Sequence, residues 1–198
     1  MNKFFAYLFC SFALTACPSF PYQGVIEEST RYVTKNNPQA FQSLTFENET
    51  FSFFRTANPG KPLVLFIHGS PGSWEASAHF FKSPRLRKNF ELIAFDRMGY
   101  GKNRPGVPYG KLEDQIKIPL AIINQFSEGR AVFVVGHSYG GPVAIKLAQA
   151  HPEKVQGLLL LAAALDPQLE EELWYQSVAK IWGLRWLIPD DLDVCNRE

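Results

Sequence analysis

A turn between two apolar segments constrains the fold of this chain more than any other feature. An apolar run at 131–135 leads into Gly-His-Ser-Tyr-Gly-Gly at 136–141, and a helix-like run follows at 142–150. The pattern predicts a strand, a sharp turn and a helix, with Ser138 at the apex. Glycines at 136 and 140 suit a strained turn that tolerates no side chain close by. The turn would present the Ser138 hydroxyl above a sheet, at a helix N-terminus that favours developing negative charge.

Ser138 is therefore a candidate nucleophile. The alternative is a glycine-rich turn between strand and helix that holds a solvated serine, because Gly-x-Ser-x-Gly also occurs by chance. The flanking strand and helix favour the nucleophile, since the motif carries chemistry only in that context.

Two further motifs follow predicted strands. The continuous apolar run at 62–67 is typical of a parallel strand buried on both faces, and it ends in His-Gly-Ser-Pro-Gly at 68–72. The run at 90–95 ends in Asp-Arg-Met-Gly-Tyr-Gly at 96–101.

The three motifs, in this order, resemble those of the α/β-hydrolase family from about residue 44 to about residue 166. Segment 136–141 resembles the family's nucleophile elbow, 68–72 its oxyanion loop, and 96–101 the turn after its next strand. The resemblance implies an α/β protein of the α/β-hydrolase fold, with a mostly parallel sheet and flanking helices.

The resemblance also implies roles for single residues. Pro71 has no N–H, so the oxyanion donors would be the backbone N–H groups of Ser70 and Tyr139. His68 would brace its loop. Asp166, at the end of a predicted strand at 155–162, is a candidate for the acid of a catalytic triad.

The chain offers no base for that triad. In this family the order is serine, then acid, then histidine, and no histidine follows His151 on the exit helix. A hairpin at 44–53 and four parallel-type strands are recognisable, but the last two strands of the family are not. We therefore expect a truncated member without its C-terminal strands, with an uncovered apolar sheet edge and low stability.

The N-terminal residues resemble a bacterial lipoprotein signal. Lys3 precedes an apolar run at 4–14 that is too short to span a bilayer, and Leu-Thr-Ala-Cys follows at 14–17. Acylation of Cys17 would anchor the protein to the cell envelope, with the outer membrane favoured in a Gram-negative cell; the alternative is an ordinary secretory signal. The expected organisation is a signal peptide at 1–16, a tether at 17–40, a hydrolase core at 41–167 and the start of a cap at 168–198.

The amino-acid composition limits the kinds of partner that the protein is expected to bind. The net charge of +1 gives no indication of nucleic acid binding. The sequence suggests no metal or organic cofactor, no disulfide for Cys195, and nothing about oligomeric state.

The predicted function is a serine hydrolase that acts on a small ester or amide through an acyl-serine intermediate. Aminopeptidase-like relatives that release an N-terminal proline also fit, whereas epoxide and haloalkane hydrolases normally use an aspartate nucleophile. The alternative is a membrane-anchored, non-catalytic remnant or binding module.

Overall fold

The computed structural model describes residues 21–107 and 110–165. Within these residues the α-helices are α1 (Pro21–Asn36), α2 (Ala78–Phe81), α3 (Pro84–Asn89), α4 (Leu112–Gln115), α5 (Lys117–Phe126) and α6 (Gly140–Ala150). The strands are β1 (Phe41–Phe46), β2 (Glu49–Thr56), β3 (Leu63–Ile67), β4 (Glu91–Phe95), β5 (Val132–His137) and β6 (Gly157–Leu161). A 3₁₀ helix, Trp74–Ser77, precedes α2.

The described strands form one sheet in the order β1-β2-β4-β3-β5-β6. Strands β3, β4, β5 and β6 run parallel, and the β1–β2 hairpin joins antiparallel to β4. The hairpin turns at Glu47 and Asn48, whose φ angles of 48° and 64° are typical of a type I′ turn. The predicted α/β fold, with its hairpin and four parallel strands, is confirmed.

Strand β3 is buried on both faces because it lies between β4 and β5 with helices on either side. Alternate side chains of a strand point to opposite faces, so Leu63, Leu65 and Ile67 join one core cluster while Val64 and Phe66 join the other. The first cluster includes the apolar faces of α5 and α6, and the second includes α2 and Val33 of α1.

Helix α1 corrects part of the predicted organisation. Residues 17–40 were expected to form a tether, yet the described part of this range is largely a helix that contacts α2 and the 3₁₀ helix. Val33 is fully buried, so burial of this side chain fixes a segment whose polar composition suggests a linker.

The helical segment at 112–126 is divided at Ile116 into α4 and α5. Pro119 lies in the first turn of α5, where a backbone N–H has no partner within the helix. The proline is therefore tolerated without a kink in the helix interior.

The amino edge of the sheet holds a buried charge cluster. Glu91, the first residue of β4, is fully buried and accepts hydrogen bonds from Arg55 Nε and from Arg130 Nη1, the latter at 2.7 Å. Because both guanidinium groups face one carboxylate, the removal of that carboxylate would leave two arginines without their shared partner.

The strand predicted at 155–162 is present as β6, but its central residues are exposed. In the described part of the chain β6 pairs only with β5, and Leu158, Leu159 and Leu160 are 40%, 54% and 36% exposed. This edge of the described sheet therefore carries exposed apolar side chains. None of the described helices combines the length and the apolar character that a bilayer crossing requires.

Candidate active site

Three loops meet at the carboxyl edge of the parallel strands. They follow β3 at His68, β4 at Asp96 and β5 at Ser138. Parallel strands bring their carboxyl ends to one edge of the sheet, where ligands bind in open α/β sheets. The sheet order β4-β3-β5 makes the three loops neighbours.

Ser138 occupies the sharp turn predicted from the sequence. Its φ is +50°, a left-handed conformation that is uncommon for a residue with a side chain. The Ser138 N–H donates to Leu161 O at 3.0 Å, and Ser138 O accepts from the N–H groups of Gly141 at 2.9 Å and Ala164 at 3.2 Å. These main-chain bonds hold the strained residue in place and leave its side chain half-exposed.

Both glycines singled out in the sequence are required by close backbone contacts. A Cβ on Gly136 would lie 2.5 Å from Gly140 O, and one on Gly140 would lie 2.7 Å from His68 O. Distances below 3.0 Å cannot be accommodated without movement of the backbone. The predicted need for small residues at 136 and 140 is therefore confirmed.

The loop after β3 lies directly against the turn at Ser138. A Cβ on Gly69 would lie 2.8 Å from Ser138 Cβ, so only glycine allows this approach. The next residue, Ser70, shares a hydrogen bond of 2.7 Å between its hydroxyl and that of Tyr100. The close approach of Gly69 to Ser138 brings Ser70, the next residue, near Ser138, so two of the predicted site residues lie close together.

His68 is a structural residue with both ring nitrogens engaged. Nε2 accepts a hydrogen bond from the Arg97 backbone N–H at 2.9 Å, which leaves the ring proton on Nδ1 to donate to Gly69 O at 2.7 Å. Burial, and next the positive charge of Arg97, lower the pKa of His68 to about 3. The ring is neutral at physiological pH and braces its loop, in agreement with the role expected for it.

Asp96 holds the neighbouring turn. Its carboxylate accepts hydrogen bonds from the N–H groups of Trp74 at 2.8 Å and Lys102 at 2.9 Å. Burial raises the pKa of Asp96, although these two hydrogen bonds act in the opposite direction. Asn103 binds Asp96 O at 2.5 Å and also accepts from the Ser52 N–H at 2.8 Å, so the turn is tied to β2.

Arg97 has a larger part in the site than its sequence position suggests. It is fully buried beneath the loop after β3, and its guanidinium carbon lies 4.4 Å from the ring centroid of Tyr100 and 4.7 Å from that of Tyr139. The sequence marks Arg97 only as part of the motif at 96–101. Two charged residues directly after a buried strand were the available signal, but the contact of Arg97 with Tyr139 depends on tertiary structure.

The other candidate residues are distributed as follows. Tyr139 immediately follows Ser138 and caps α6, whereas Asp166 and Cys17 lie outside the described residues. His151 ends α6, whose 11 residues span roughly 16 Å, so it lies far from Ser138. Among the described residues no group of His, Cys, Asp and Glu side chains is arranged to hold a metal ion.

Comparison with known proteins agrees with this geometry. Residues 62–186 match the family model described as the alpha/beta hydrolase fold. The chain is 31% identical over 139 residues to a 1-acylglycerol-3-phosphate O-acyltransferase of Arabidopsis thaliana, covering 66% of this chain and 30% of that protein. It is 30% identical over 139 residues to a proline iminopeptidase of Neisseria meningitidis, covering 66% of this chain and 43% of that protein.

An epoxide hydrolase of Vigna radiata is similar in structure, with a TM-score of 0.52 and 21% identity over 72% of this chain and 46% of the other. At this identity the likeness concerns the fold. The chain thus spans less than half the length of each of these three proteins.

Proposed function

We propose, from the premise that this chain belongs to the α/β-hydrolase family, that the protein is a serine hydrolase for small ester or amide substrates. The single observation that supports this most is the position of Ser138. It lies on a left-handed turn at the carboxyl end of β5, at the start of α6, in contact with the loop after β3. Such a turn exposes a serine hydroxyl above the sheet.

The proposed reaction has two steps. Ser138 Oγ attacks the substrate carbonyl carbon, a base takes its proton, and the resulting oxyanion is bound by the N–H groups of Ser70 and Tyr139. Collapse of the tetrahedral intermediate breaks the bond to the alcohol or amine, which takes the proton from the base, and leaves an acyl-serine. Water then attacks the acyl carbon and gives a proton to the base. The second intermediate breaks the bond to Ser138 Oγ, which regains that proton, and the carboxylic acid is released.

Neither His68 nor His151 is proposed as the base. His68 is neutral, and both of its ring nitrogens are already hydrogen bonded, while His151 lies at the far end of α6. In this family the histidine follows the nucleophile and the acid in the chain. Asp166 remains the candidate acid, since it follows β6.

Two related types of reaction each differ from the proposed one in a single reacting group. An acyltransferase would use the same acyl-serine but pass the acyl group to an alcohol instead of water. Epoxide and haloalkane hydrolases use a carboxylate nucleophile where this chain has Ser138. A serine at this position therefore favours transfer of an acyl group, either to water or to an alcohol.

Covalent labelling tests the nucleophile. Protein isolated from the cells that produce it is treated with a fluorophosphonate probe, beside Ser138→Ala and the exposed-serine control Ser43→Ala. We expect labelling of the native protein and the control, and its loss in Ser138→Ala. Equal labelling of Ser138→Ala would refute the proposal.

A non-catalytic binding module is the second candidate, because neither His68 nor His151 is placed to act as a base for Ser138. Hydrolysis of p-nitrophenyl acetate by the purified 198-residue chain, abolished in Ser138→Ala, would exclude it. The lipid anchor at Cys17 and the location in the cell envelope remain proposals, which the intact mass of the native protein would test.

A further inference from the structure

We infer that Arg97 is a positioning residue for the oxyanion site, where it orients and polarises the peptide group that presents the Ser70 N–H. The inference rests on the proposed function, and it assigns to Arg97 a role beyond contacts within its own loop. It is carried by the contacts of the buried guanidinium on both sides of the nucleophile turn.

The guanidinium binds two consecutive carbonyl groups of the oxyanion loop. Nε donates to His68 O at 3.1 Å and Nη2 donates to Gly69 O at 3.3 Å. On its other side Nη1 donates to Gln115 Oε1 at 3.2 Å, so the planar group is held from α4 as well. Its donors lie in a fixed fork, which makes the orientation of both carbonyl groups specific.

The orientation of Gly69 O determines that of the Ser70 N–H. The Gly69–Ser70 peptide is trans, so its C=O and N–H groups point in opposite directions within one plane. Arg97 Nη2 and His68 Nδ1 hold Gly69 O from the buried side of the loop. The Ser70 N–H is thereby directed away from the buried side.

The positive charge of Arg97 acts in addition to its effect on the orientation of the peptide group. Arg97 has no exposed surface, so its positive charge acts at Gly69 O in a medium of low dielectric constant. Hydrogen bonds in a chain polarise one another, and a charged donor at the carbonyl makes the N–H of the same peptide a stronger donor. An oxyanion bound at Ser70 N–H would gain from this effect as its charge develops.

The two aromatic contacts link the same guanidinium to the second proposed donor. The rings of Tyr100 and Tyr139 lie 4.4 Å and 4.7 Å from its central carbon, within the range of cation–π attraction. Tyr139 supplies the other oxyanion N–H, and Tyr100 bonds the Ser70 hydroxyl. Arg97 therefore contacts both halves of the site.

The kinetic test separates a positioning role from a structural one. Fluorophosphonate labelling of the native-length protein is resolved into a reversible affinity, KI, and a maximal rate constant, kinact, for wild type, Arg97→Lys and Arg97→Met. Removal of an oxyanion donor typically lowers the rate about 10²–10³-fold, so we expect kinact to fall about 10²-fold in Arg97→Met with KI little changed. Arg97→Lys keeps the positive charge but lacks the forked donors of arginine, so its kinact should lie between those of wild type and Arg97→Met.

The matched control is Glu91→Gln, which alters a buried charge at the opposite end of β4. It should lose stability but keep kinact close to wild type. If Arg97→Met and Glu91→Gln change kinact equally, or if Arg97→Met leaves it unchanged, the inference is overturned.

A second measurement does not depend on reactivity. In ¹H–¹⁵N spectra of the same proteins, the Ser70 amide signal should shift or broaden in Arg97→Met and Arg97→Lys, and stay in place in Glu91→Gln. An unmoved Ser70 signal in folded Arg97→Lys would refute the inference. A wild type that is not labelled would instead refute the proposed function, while the amide signal would still decide the role of Arg97.

Discussion

Acid should destabilise this protein through His68, and the structure gives the size of the effect. The ring is fully buried, and burial together with the charge of Arg97 lowers its pKa to about 3, against 6.5 for a free histidine. The unfolded chain therefore binds a proton at a pH where the folded protein does not. Stability from the neutral ring is complete above pH 6.5 and is lost progressively as the pH falls toward 3.

The magnitude follows from these two pKa values. Between pH 7 and pH 5 the unfolded histidine becomes almost fully protonated while folded His68 stays neutral. The linkage relation gives a loss of about 2 kcal/mol in the free energy of unfolding over this interval. A change of this size is a substantial part of the stability of an ordinary domain.

The assay is urea unfolding of wild type and His68→Gln at pH 7 and pH 5. Glutamine does not titrate, so the variant should be less stable at pH 7 but should lack this part of the acid sensitivity. Other groups act on both proteins alike: a lowered pKa at His79 adds to the loss, and the raised pKa of Asp96 opposes it because the folded state then retains its proton more readily. The difference between the two proteins therefore isolates His68.

Leu65→Ala serves as the control for destabilisation alone. Leu65 is fully buried in β3, so its truncation should cost about 2–5 kcal/mol at both pH values. An equal loss between pH 7 and pH 5 in wild type and His68→Gln would refute the reasoning, since it would mean that His68 does not titrate differently in the two states.

Two further predictions concern packing and charge. Gly140→Ala should lower the free energy of unfolding by more than about 3 kcal/mol, because the new Cβ would meet backbone oxygens of β3 and its loop. The control Gly24→Ala in α1 has open space around it and should be neutral or stabilising by up to about 1 kcal/mol. Similar losses of stability in both variants, measured by thermal or urea unfolding, would contradict the geometry. Glu91→Gln should lower the free energy of unfolding by about 3–5 kcal/mol because it weakens a buried ion-pair cluster. Glu28→Gln, which affects an exposed ion pair with Lys82, should lower it by about 1 kcal/mol or less. Equal losses in the two variants would refute the expected effect of burial.

The sequence predicts most of the sheet and the centre of the site because these depend on local patterns. The run at 62–67 is apolar at every position from Leu63 to Ile67, which requires burial on both faces, and the glycines around Ser138 mark the turn. What it does not predict depends on contacts distant in sequence. Val33 is one apolar residue in a polar segment, and only its burial shows that α1 belongs to the domain.

The contacts around Ser138 show which part of the chain sets the geometry of the site. Ser138 is fixed by main-chain hydrogen bonds to residues 141, 161 and 164, and the loop after β3 is fixed by His68 and Arg97. All of these partners lie at or near the carboxyl ends of β3, β4, β5 and β6. The backbone positions of Ser70 and Tyr139, whose N–H groups are the proposed oxyanion donors, are therefore set within the described part of the chain.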